Sequence, residues 1–111
     1  MRKLLIPVLA TVVAVALASP ALGAKRVKIG DNYFVRPSGV PTVTVSKGTV
    51  VKWVWTGSSL HNVKVLSGPV KFGSSSKMSG SYRKRVTRKG TYRLYCSVHE
   101  VDDQSMRLVV K

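Results

Sequence analysis

The sequence predicts an all-β domain, a small antiparallel sandwich or barrel, on three observations. Short runs rich in Val, Tyr and Trp follow one another from residue 26 onward, turn residues separate them, and no useful length of chain has helical periodicity. The runs are RVKIG (26–30), TVTV (42–45), VVKWVW (50–55), HNVKVL (61–66), SYRKRV (81–86), TYRLYC (91–96) and MRLVV (106–110). Between them fall PSG (37–39), KG (47–48), TGSS (56–59), SGP (67–69), GSSS (73–76) and KG (89–90), residues that preset or tolerate turn backbone. Such repetition builds sandwiches and barrels.

Residues 1–24 come before the first run and read as a secretory signal peptide. Arg2 and Lys3 make the positive start, the apolar stretch 4–18 is short for a membrane span, and SPALGA supplies small residues for cleavage after Gly23 or Ala24. No cysteine lies near that point, which argues against a bacterial-type lipid anchor. A mature chain of about 87 residues, 25–111, suffices for one small domain, which must fold without internal disulfides because the sequence holds one cysteine.

Period two assigns the faces of the strands. In VVKWVW, Val51, Trp53 and Trp55 share the side expected to face the core, and Lys52 and Val54 the other. In TYRLYC, Tyr92, Leu94 and Cys96 form the inward row, with Arg93 and Tyr95 outside. The stretch YRKRVTRKG (82–90) alternates cations at strand spacing, as the wet face of a sheet does. Met78, in the loop before SYRKRV, is expected to pack.

Charge limits the partners. Nineteen Lys and Arg face four Asp and Glu, and losing Arg2 and Lys3 with the leader lowers the formal charge from +15 to +13. A surface this basic attracts anions, among them acidic proteins and anionic cell-surface polymers, or simply keeps the domain soluble. There is no Cys/His finger spacing, Gly-rich RNA-binding signature or helical basic stripe, so no specific nucleic-acid partner is expected.

An unpaired cysteine in an exported protein is buried and inert, linked to another chain, or used chemically. Here Cys96 stands three residues before His99, and His61, the other histidine, opens a run just after a loop. Two imidazoles and one thiolate are the trigonal set that copper uses in electron-transfer sites, completed by a weak axial thioether, which Met106 can supply. Thiolate and thioether hold Cu(I), imidazole holds both oxidation states, and an intermediate geometry needs little rearrangement as the electron moves.

With these residues in place, the chain from about Asp31 to its end resembles the small type 1 (blue) copper proteins of the plastocyanin/azurin-like cupredoxin family. DNYFVRPSGVPTVTVSKGTVVKWVW is similar to the family's opening, SSLHNVKV to the segment with the first histidine ligand, and GTYRLYCSVH to the strand and loop with the cysteine and second histidine. The resemblance implies a Greek-key β-sandwich and copper held by His61, Cys96, His99 and Met106. It also implies that Asn62 ties the two ligand loops together, that Tyr92 pins a Greek-key corner, and that His99 is the electron port. Family members place the axial methionine two or four residues beyond the second histidine, whereas six residues separate His99 from Met106. Met106 is aligned with the axial ligand because MRLVV runs straight into the final strand. Gln104 is the alternative, as an oxygen donor, and a site without a close axial ligand is the third possibility.

Of the four acidic residues, Glu100, Asp102 and Asp103 lie in the loop beside His99. They would form a negative rim that lowers the reduction potential, or else a plain polar turn. The expected function is single-electron transfer by an exported monomer, periplasmic, extracellular or cell-surface, between redox proteins that dock briefly. No enzyme activity is expected, since no base is paired with a nucleophile. Copper storage or delivery, and a basic extracellular binding module without metal, are the alternatives; zinc could also accept these imidazole and thiolate ligands.

Overall fold

The computed structural model describes residues 23–99 and 104–111. Eight strands run in the order β1 (Ala24–Gly30), β2 (Tyr33–Phe34), β3 (Thr42–Val45), β4 (Val50–Trp55), β5 (Lys64–Ser67), β6 (Ser81–Arg85), β7 (Gly90–Tyr95) and β8 (Ser105–Val110). They form two four-stranded sheets, ordered β2-β1-β4-β6 and β3-β8-β7-β5. Each sheet turns one face inward, because alternate side chains are apolar. Val51, Trp53 and Trp55 of β4 are buried against Tyr92 and Leu94 of β7 and Met106, Leu108 and Val110 of β8 in one core cluster.

The sheets are mixed rather than purely antiparallel. β1 runs parallel to β4, and β3 parallel to β8, so the chain between β1 and β4 and the chain between β3 and β8 each visit the other sheet before returning. Composition and period two carry no information on strand direction, so the antiparallel expectation fails at these two pairs. Three further features concern single segments. The dipeptide Tyr33–Phe34 is a strand of its own, turned back on β1 through Asp31 and Asn32, the latter at φ 74°, a left-handed conformation that asparagine tolerates. The run HNVKVL does not begin as a strand. His61 makes one isolated bridge to Lys77, Val63 donates its N–H to the Ser74 hydroxyl, and the ladder with β7 starts only at Lys64. Met78 is 59% exposed, not packed, because its loop runs outside the space between the sheets.

Two side-chain contacts tie strands to neighbouring backbone, the first at the end of β7 away from Cys96 and the second at the end where His61 and Cys96 lie. The Tyr92 hydroxyl donates to the Arg88 carbonyl at 2.8 Å and fastens the turn into β7. The Trp55 indole N–H donates to the His61 carbonyl at 3.1 Å, so the end of β4 carries the segment that follows it.

Candidate metal centre

Cys96 lies one residue beyond β7, at the end of its inward row, and is fully buried. Two segments close over it. The loop after β7 brings the His99 Nδ1 to 3.6 Å from Sγ, and the segment after β4 brings the His61 Nδ1 to 4.0 Å. The three ligand atoms lie within 4.8 Å of one another, and the two imidazoles stack with centroids 4.9 Å apart. His61 is fully buried, while His99 is half-buried and forms the side of the cluster nearer solvent.

Asn62 joins the two segments. Its side-chain oxygen accepts the Ser97 N–H at 2.8 Å, its amide donates to the Ser97 and Ser76 hydroxyls, and its backbone N–H points at the Cys96 sulfur at 3.4 Å. A donor on the cysteine sulfur is one of the contacts that tune such a site.

Asp31, in the turn between β1 and β2, is a site residue that no sequence motif signals. Its carboxylate accepts from the His61 Nε2 at 2.8 Å, from the backbone N–H groups of Ser58 and Ser59, and from both serine hydroxyls. The His61 bond above all, followed by those from Ser59 and Ser58, holds the Asp31 carboxyl far below the usual carboxylate range. An ionised carboxylate accepts only, so the His61 Nε2 carries a hydrogen, and Nδ1 is the ring nitrogen that faces Gln104 and Cys96. The serine loop can sit this close because residue 57 is glycine: a Cβ there would collide with the Asp31 carboxylate and come within 2.9 Å of its backbone nitrogen.

β8 returns beneath the cluster. The Cys96 N–H donates to the Gln104 carbonyl at 3.1 Å, Tyr95 pairs with Ser105, and Leu94 pairs with Met106. Gln104 therefore stands across from Cys96, and Met106 across from Leu94, one inward position deeper in the apolar core. The Gln104 Oε1 lies 3.0 Å from the His61 Nδ1. Glu100, Asp102 and Asp103, the candidate acidic rim, lie outside the described residues.

The donor set fits a single copper ion. Two imidazole nitrogens and a cysteine sulfur converge where little solvent reaches, and one imidazole is oriented by a carboxylate, as metal-bound histidines commonly are. No protein-family model and no curated protein matches the chain. Solved structures do. An amicyanin variant in its Cu(I) form is 26% identical with a TM-score of 0.66, over 85% of this chain and 88% of that one. A second, in the oxidised form, is 23% identical with a TM-score of 0.66, over 79% and 82%. A third, again Cu(I), is 24% identical with the same TM-score, over 85% and 88%.

Proposed function

We propose that this chain, which has the fold of the type 1 copper cupredoxins, is an electron carrier whose single copper is held by His61, Cys96 and His99 with a weaker fourth donor from the β8 side. The convergence of the His61 Nδ1, the His99 Nδ1 and the Cys96 Sγ at one end of the sandwich carries this reading. Bound copper would supply the one-electron couple, and the residues around it do the rest. His61 and Cys96 are buried and held by Asp31, Trp55 and Asn62, so the ligand geometry is maintained by hydrogen bonds outside the ligand set. His99 is the more exposed imidazole and the natural port for an electron. Partners would dock briefly over a small interface, and the basic surface favours acidic ones. The leader-like residues 1–24 support export to an envelope or extracellular space, leaving residues 25–111 as the working monomer.

Copper storage or delivery uses the same ligands but requires them to exchange readily. The buried, cross-tied ligands favour a retained ion. Two rates on the copper-loaded protein separate the readings: electron self-exchange, and copper loss to a Cu(I) chelator. A carrier exchanges electrons many times before losing its ion. A protein that yields copper to the chelator as fast as it passes electrons is a delivery protein.

A further inference from the structure

We propose that the fourth donor of this centre is the amide oxygen of Gln104, with Met106 a core residue. The assignment rests on the copper reading above and names one more of its ligands.

Gln104 is 1% exposed, and the orientation of its amide is determined by its partners. The Nε2 donates to two carbonyls of the β1–β2 hairpin, Gly30 at 3.1 Å and Tyr33 at 2.9 Å, which uses both of its hydrogens. A flipped amide would set its oxygen against two carbonyl oxygens, so Oε1 must face the other way, toward His61. There it lies 3.0 Å from the His61 Nδ1, the ring nitrogen left for the cluster once Nε2 is committed to Asp31.

Either a proton on Nδ1 or a cation beside the two atoms satisfies this contact, and both place the amide oxygen as a donor at the face where the His61 Nδ1 binds. The same space receives the Cys96 Sγ and the His99 Nδ1, both electron-pair donors. Four potential donor atoms from four residues thus lie about one small space, and a single bound cation can engage them together. Strand register explains why the glutamine and not the methionine arrives there. Gln104 is opposite Cys96, whereas Met106 pairs with Leu94 and belongs to the apolar cluster between the sheets.

An amide oxygen is a harder donor than a thioether and favours Cu(II) over Cu(I), so the donor identity is read in the reduction potential and the colour. The test compares the copper-loaded protein with Gln104→Met and Met106→Leu, the second a near-volume-conserving change. The expected result is an upward shift of potential in Gln104→Met, with the orange-red absorption gaining intensity over the blue-violet, and no shift of either in Met106→Leu. A shift in Met106→Leu, or none in either variant, overturns the assignment while the copper centre stands. A wild-type protein that never develops the orange-red band overturns the copper reading and this assignment with it.

Gln104→Met also removes two backbone hydrogen bonds. Proton NMR of the unmutated protein loaded with paramagnetic Co(II) keeps the question decidable if that variant does not fold. The Gln104 side-chain protons should be shifted far outside the diamagnetic range and the Met106 methyl much less. The reverse order overturns the assignment.

Discussion

Asp31 and His61 are thirty residues apart in sequence and 2.8 Å apart in space, and the contact makes Asp31 a positioning residue for the buried imidazole. Removing its charge with Asp31→Asn should leave the protein folded and weaken Cu(II) binding about 10–100-fold, the usual cost of losing a partner behind a ligand, as measured by competition with a chelator. Gly57→Ala should act in the same direction from the opposite side of the contact, since its Cβ needs the space that the carboxylate occupies. Asn62→Ala leaves the Ser97 N–H without its partner and should destabilise the protein by about 1–3 kcal/mol in urea unfolding. Cys96 and His99 were legible in the sequence because three residues of spacing and one loop bring them together. His61 was legible as the other histidine, opening a run just after a loop, and more firmly through the likeness of SSLHNVKV to a known segment; Asp31 was not legible at all, because a lone acid after a strand announces no partner across the fold. Gln104 stood in the sequence as an alternative donor; what distinguishes it from Met106 is register, which no local pattern encodes.

The strands that present these residues follow from period two where one face is apolar, and less well where hydrogen bonds to loops take over. β4, β7 and β8 could be read from VVKWVW, TYRLYC and MRLVV, and their inward rows are the buried ones. HNVKVL reads as a strand throughout, yet its first three residues bond to Lys77, Ser74 and Trp55 instead of a ladder, which frees His61 and Asn62 to face the cluster. The parallel pairings were hidden for a different reason: side-chain alternation is the same in both strand directions. The Tyr92 ring packs in the core, and its hydroxyl bonds only the Arg88 carbonyl at the turn into β7. Tyr92→Phe should therefore lower stability by about 1 kcal/mol in urea while leaving the copper spectrum unchanged. A spectral change in that variant would show that the corner bears on the site.

The whole molecule carries a formal charge of +15, +13 without Arg2 and Lys3, and Asp31 is the only acidic side chain among the described residues. Its single negative charge does little to offset the Lys and Arg of the exterior. Electron transfer to an acidic partner should slow on the order of ten-fold or more as salt rises from low ionic strength to about 1 M, where the Debye length shrinks to about 3 Å. Stopped-flow rates at a series of salt concentrations check this, and a flat series would remove charge from the account of docking. The measurement that bears most directly on the copper centre is the visible spectrum during Cu(II) titration of the protein and of Cys96→Ser. An orange-red band that reaches its maximum at one equivalent and is missing in Cys96→Ser is the predicted result, since it reports a copper–thiolate bond at Cys96. A protein that stays colourless, or loses its thiol to oxidation without a stable colour, would contradict the account.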